Sequence, residues 1–274
     1  MPILNTPEAT LHYQLTGTGP LLAISQSGEG DADRSADLIP HLTGRYRVLT
    51  YDRRGLSRSS GRAGTPPASI ADHASDLHHL LAAVTDRPAI LLGCSLGAAI
   101  GLHLAVTHPG QLATLIAHEP ITPWLLPDDE AWRHRAELAE IRDRYESDGL
   151  SAAIAYLAET LGIRPAGAEG EPGRTDFPMD ENRIRNFDHF LRHDVTAAIT
   201  DDLDAGSLAD AGTRIIPAAG RATPRTVYDY RCAEALSAVI NRPVWTFPGG
   251  HNGNLTHPAR YASELLTLLD LDPQ

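Results

Sequence analysis

Lysine is missing from this 274-residue chain: all 23 of its basic residues are arginine. A Schiff-base lysine and a lysine-dependent phosphate loop are therefore excluded. Cysteine is nearly missing too. With only Cys94 and Cys232 present there is no disulfide framework and no Cys-x-x-Cys metal site. No apolar run approaches the ~20 residues of a membrane span. The N-terminus, Met1-Pro2-Ile3-Leu4-Asn5, lacks the basic-then-apolar pattern of a secretory signal, so cytoplasm is the expected location. Positive charge is in short supply: the formal net charge is −12, which argues against nucleic acid or an anionic membrane as partner. No dinucleotide fingerprint or metal-ligand spacing occurs, so neither a cofactor nor a metal is expected.

What is there is an ordinary globular composition, 42% hydrophobic and 21% charged, in a chain long enough for one large core carrying an insertion. The most informative stretch is Ala89-Ile90-Leu91-Leu92-Gly93-Cys94-Ser95-Leu96-Gly97-Ala98-Ala99. An apolar run ends in Gly-x-Ser-x-Gly, and a small-residue helical pattern follows until Pro109. This reads as strand, tight turn and helix, with the Ser95 hydroxyl held out at the edge of a sheet. The helix N-terminus behind it favours developing negative charge. Cys94 reads as a small apolar residue packed beneath the turn.

Along the chain, Leu11, Tyr13 and Leu15 alternate with polar residues as in an antiparallel edge strand. Strands are expected over 21–25, 46–52 and 112–117. The turn Arg53-Arg54-Gly55-Leu56-Ser57-Arg58-Ser59 reads as structural. His73, His78 and His79 sit on a helix running from Ile70 to Val84 behind Ser69 as N-cap; they read as surface or half-buried residues rather than metal ligands. From 121 to 203 the pattern becomes helical, over 128–145, 150–161 and 181–198, with a Gly- and Pro-rich loop at 164–180 expected to be mobile. Alternation resumes with strands at 214–220 and 243–248 and helices at 226–239 and 261–271. Strands alternating with helices imply a mostly parallel sheet covered on both faces. Residues 1–120 and 204–274 would form that core and 121–203 a helical cap.

A serine hydroxyl needs a base and a group to orient the base. Of thirteen histidines, His251 follows a strand through Gly249-Gly250, at the edge where Ser95 also sits. His257 precedes Pro258 and reads as a helix boundary, and His103 lies within the helix after Ser95. His251 is the expected base.

Gly93-Cys94-Ser95-Leu96-Gly97, Gly250-His251 and Tyr51-Asp52-Arg53-Arg54-Gly55 together resemble the α/β-hydrolases, over essentially the whole chain. The resemblance implies an α/β-hydrolase fold with the cap as an insertion and an oxyanion hole made of main-chain amides, here those of Ser27 and Leu96. Gln26-Ser27 stands where many members carry His-Gly, and Gln26 is expected beside the substrate. The usual acid position falls in Gly220-Arg221-Ala222-Thr223-Pro224, which has no carboxylate. Glu119, after the strand next to the nucleophile's, is an acid position in some members and keeps the Ser, acid, His order; Asp229 and Asp201 are the alternatives. Glu119 is expected on His251 Nδ1, with Nε2 facing the Ser95 hydroxyl. Cys94-Ser95, His118-Glu119-Pro120, Ala218-Ala219-Gly220 and Gly250-His251 are similar to the zearalenone lactonases, which implies a Ser-Glu-His lactonase chemistry.

The expected activity is that of a cofactor-free serine hydrolase cleaving a small-molecule ester or lactone, in a monomer or homodimer. C–C bond hydrolysis, perhydrolysis or a non-catalytic small-molecule receptor are the rival readings. Trp124 and Trp132 are candidate substrate contacts from the cap, with packing inside the cap as the alternative.

Overall fold

The computed structural model describes residues 2–163 and 170–271. Its strands are β1 (Ile3–Asn5), β2 (Ala9–Thr16), β3 (Leu21–Ser25), β4 (Arg47–Tyr51), β5 (Ser60–Gly61), β6 (Ala89–Cys94), β7 (Leu112–His118), β8 (Arg214–Gly220) and β9 (Trp245–Phe247). Its helices are α1 (Ile70–Val84), α2 (Leu96–Thr107), α3 (Asp128–Asp148), α4 (Leu150–Thr160), α5 (Glu181–His189), α6 (Val195–Thr200), α7 (Tyr228–Ile240), α8 (Gly253–Thr256) and α9 (Pro258–Asp270).

Among the described residues the strands form one nine-stranded sheet in the order β1-β2-β4-β3-β6-β7-β8-β9, with β5 paired to β2. Pairing is antiparallel around β2 and parallel from β4 onward. The composition of the central strands explains this. Leu21–Ser25 and Ala89–Cys94 are buried at every position, the near-continuous apolar pattern of strands covered on both faces. Alternate residues feed two apolar clusters: Ala23, Leu49, Leu91 and Leu115 belong to one, Ile24, Val48, Leu92 and Ile116 to the other. The fold is thus that of an α/β hydrolase, a mostly parallel sheet flanked by helices.

Four expectations need correction. Strand β2 is antiparallel but not an edge, because β1 and β5 pair outside it. The helix expected over 181–198 is broken into α5, a π-helical turn at Phe190–Asp194, and α6. His73 is buried, at 1% exposure, and neither surface nor half-buried; its Nε2 lies 3.2 Å from Asp194 Oδ1. Of the loop expected to be mobile, 164–169 lie outside the described residues, and the remainder is anchored. Its Glu171 carboxylate accepts the amides of Ala259 and Arg260 at the start of α9, at 2.8 and 2.9 Å. Thr175 donates its amide to Asp37 at 2.8 Å.

Register places the chemistry. Cys94 on β6 lies opposite His118 on β7, so Ser95 and Glu119 leave the sheet side by side, each one residue beyond its strand. Their amides continue the ladder: Ser95 donates to His118 O and Glu119 to Ala218 O, both at 2.9 Å.

Candidate active site

Ser95 sits between β6 and α2 with φ +53° and ψ −113°, a left-handed backbone that a side-chain-bearing residue adopts only when its surroundings impose it. Both neighbouring glycines are obligatory. A Cβ on Gly93 would come within 2.6 Å of Gly97 O, and one on Gly97 within 2.0 Å of Ser25 O. Close approach of the turn to β3 therefore fixes the Gly-x-Ser-x-Gly spacing. The Ser95 side chain does not cap α2; it opens onto a cavity of about 170 Å³. Leu96 is the first residue of α2, so its amide is one of the donors a helix start leaves without an internal partner. Cys94 is buried, and burial pushes its thiol up to about 12, consistent with packing rather than reactivity.

Glu119 is fully buried and has φ +44°. Both of its carboxylate oxygens are committed. Oε1 accepts the Gly220 amide at 2.8 Å, and Oε2 accepts from His251 Nδ1 at 2.7 Å. Burial pushes this carboxyl up, but the hydrogen bond and charge of His251, with His118 behind, outweigh it and bring it to about 2. For His251, burial acts downward, and the Glu119 hydrogen bond with the charges of Glu119 and Asp229 lifts it above the usual 6.5. An ionised Glu119 accepting at Nδ1 fixes the tautomer with its lone pair on Nε2.

His251, Ser95 and Ser27 all line the same cavity. Ser95 Oγ and His251 Nε2 are not hydrogen-bonded to each other. The charged atom facing Nε2 is instead Oδ2 of Asp229, 3.8 Å away. Asp201 is remote in role as well: it joins His103 Nε2 at 2.8 Å and Trp124 Nε1 at 2.7 Å.

Three residues expected at the substrate do not line the cavity. Gln26 is buried and spends its amide inside the protein, donating to Ser35 Oγ at 2.6 Å and accepting from Asn254 at 3.1 Å. It braces the 26–30 loop. Trp124 is tied to Asp201 by its indole N–H. Trp132 is 70% exposed, because it lies on the outer side of α3. The face of α3 that does line the cavity carries His134, Glu137, Leu138 and Ile141. These residues were missed, although their i, i+3, i+4, i+7 spacing is a helical face. Glu137 is raised to about 7, chiefly by burial.

Cavity walls come from two sides. Ser27, Ser95 and His251 stand at the sheet's edge, and residues of α3, α4 and α5 face them. Asp194 in the π-helical turn ties these helices to the sheet: its carboxylate meets Arg53 Nη2 at 2.6 Å, and that guanidinium also donates to Ser27 O and Gly28 O. The Arg53 turn is thus structural, as expected. Among the described residues no group of three or more His, Cys, Asp or Glu is arranged to hold a metal ion. Nor is any described helix long and apolar enough to cross a membrane.

Known proteins share this architecture. The family model described as "alpha/beta hydrolase fold" matches residues 21–159. A Bacillus subtilis (strain 168) protein named as the uncharacterized hydrolase YraK is 31% identical over 97% of this chain and 95% of its own. A hydrolase structure from Pseudomonas aeruginosa PA01 superimposes with a TM-score of 0.69 at 25% identity, covering 98% of this chain and 97% of that one. An alpha/beta hydrolase from Sphaerobacter thermophilus DSM 20745 gives 0.70 at 22% identity, covering 98% of this chain and all 100% of the other, and speaks to the fold alone. The chain belongs to the alpha/beta hydrolase fold family and is a hydrolase of that superfamily.

Proposed function

We propose that this hydrolase cleaves a carboxylic ester or lactone through an acyl-enzyme on Ser95, with His251 as base and Glu119 as its orienting acid. The observation that carries the reading is the 2.7 Å contact between His251 Nδ1 and Glu119 Oε2, buried at the edge of a cavity that Ser95 also lines. It leaves Nε2 as a proton acceptor on the cavity side.

Ser95 Oγ attacks the carbonyl carbon and its proton passes to Nε2. Glu119 stabilises the imidazolium without taking the proton. The Leu96 amide at the start of α2 and the Ser27 amide receive the oxyanion. His251 then returns the proton to the leaving oxygen, and a water deprotonated by the same nitrogen releases the acid. Residues 121–203 act as the cap and form the cavity's outer wall, where selectivity for the substrate's bulk resides.

The test is Ser95→Ala assayed on aryl esters and lactones, together with labelling by a fluorophosphonate. The variant is expected to keep its fold, resist labelling and lose roughly three orders of magnitude or more in turnover. Near-wild-type turnover would overturn the mechanism.

A further inference from the structure

One carboxylate oxygen beside the reacting groups has no use in the mechanism above. Asp229, on α7, is 2% exposed and lines the cavity with Ser95 and His251. Its Oδ1 is engaged by His134 Nε2 at 3.3 Å, and His134 is itself held flat against Tyr228, ring centroids 5.1 Å apart. The carboxylate is therefore fixed in orientation. Its Oδ2 accepts no hydrogen bond and points to within 3.8 Å of His251 Nε2.

With Glu119 holding the proton on Nδ1, Nε2 presents a lone pair. Two acceptors, Nε2 and Oδ2, then face the same space with no hydrogen between them. A buried acceptor left without a donor is costly, and a bound group that supplies one recovers that cost. On the proposed mechanism the Ser95 hydroxyl is the donor for Nε2 during attack, but it is not one for Oδ2. Once the acyl bond breaks, the oxygen nearest Nε2 is the leaving oxygen, because that nitrogen protonates it. A hydroxyl on the carbon next to it has the reach to meet an acceptor 3.8 Å from Nε2.

We infer that Asp229 is a specificity-determining residue that accepts a hydrogen bond from a hydroxyl vicinal to the scissile ester oxygen, so that the preferred substrates are partial esters of diols and polyols. The inference rests on the serine-hydrolase reading and deepens it. A site built to bind a hydroxyl discriminates strongly against the analogue without one, because its own polar atom is then stranded.

The experiment compares three esters of one acid, 2-hydroxyethyl, 2-methoxyethyl and propyl butyrate. All three give the same acyl-enzyme, so differences in kcat/KM arise before deacylation, from recognition of the alcohol. Wild type is expected to favour the hydroxyethyl ester over both others by roughly 10- to 100-fold, the range set by one stranded buried acceptor. Asp229→Ala should bring both ratios to about one, and Asp229→Asn should reduce them. No preference in wild type overturns the inference, whether or not the variants fold; so does a preference that survives intact in Asp229→Ala. Failure of the underlying reading looks different: there, Ser95→Ala still hydrolyses the hydroxyethyl ester.

Discussion

Glu119 holds His251 with one carboxylate oxygen and the amide of Gly220 with the other, at 2.7 and 2.8 Å. The acid is thus pinned between β7, which carries it, and the end of β8. Glu119→Gln preserves the shape but removes the anion and allows the amide to face Nδ1 with either atom. A loss of about 10³ to 10⁴ in kcat is expected, as for other changes that unsettle the base's tautomer. Steady-state kinetics beside Asp201→Asn checks it, since Asp201 serves His103 and Trp124 and its replacement should cost far less in kcat.

The pH profile follows from the same pair. On the proposed mechanism His251 must be neutral to accept the serine proton, and its pKa is raised above 6.5. kcat/KM should therefore climb with pH through a limb lying above 6.5. In Glu119→Gln the hydrogen bond and charge of Glu119 are gone while burial and the weaker pull of Asp229 remain, so the residual activity should show that limb moved to lower pH. A limb at the same pH in both proteins would mean that the two groups do not communicate.

Stability has its own signature. Glu119 titrates at about 2 in the fold against an ordinary 4.5, so its contribution is fully present above 4.5 and is lost as pH falls toward 2. His251 has the opposite sign: raised in the fold, it favours the folded state below 6.5 and loses that contribution as pH rises through its folded value. Urea unfolding of wild type and Glu119→Gln should show curves that converge as the medium is acidified from pH 5.

Removal of the buried carboxylate in the π-helical turn should be expensive. Asp194 is 1% exposed and faces Arg53 and His73. Asp194→Ala would strand the Arg53 guanidinium, a loss of about 3–5 kcal/mol. Chemical denaturation measures it directly. Arg53 also holds the Ser27 and Gly28 carbonyls, so kcat should fall along with stability.

The helical wall offers a paired test. Leu157 on α4 lines the cavity, whereas Trp132 on α3 is 70% exposed. Leu157→Ala should alter the kcat/KM ratio between a small aryl ester and a bulky lactone. Trp132→Ala should leave that ratio unchanged and move stability by no more than about 0.5 kcal/mol.

Parts of this site were legible in the sequence because their causes are local. The Ser95 turn is dictated by Gly93 and Gly97, and a strand before and a helix after are readable from neighbouring residues. Glu119 was reachable through the resemblance, which implies an acid position after the strand next to the nucleophile's where Gly220–Pro224 holds no carboxylate. The cavity face of α3 was not found, because helical phase relative to a distant sheet is set by packing rather than by spacing. Trp132 shows the cost: an aromatic in the right helix faces the wrong way. Gln26 failed differently, as its partners Ser35 and Asn254 come together only in the fold. Asp229, considered as the orienting acid, stands at Nε2 rather than Nδ1, a difference no linear pattern encodes.

With the proposed anion supplied from the end of β7, positions 221 and 222 after β8 carry no chemistry. The ends of this loop stay constrained: Gly220 donates to Glu119, a Cβ there would strike Gly250, and Thr223 is buried. Arg221 and Ala222 engage their neighbours through backbone amides alone, on Phe247 O and Gly249 O, and both side chains are exposed. In a mutational library, then, positions 221 and 222 should drift freely. They are the natural place for the protein to accept an insertion, or a new surface, without surrendering its reaction.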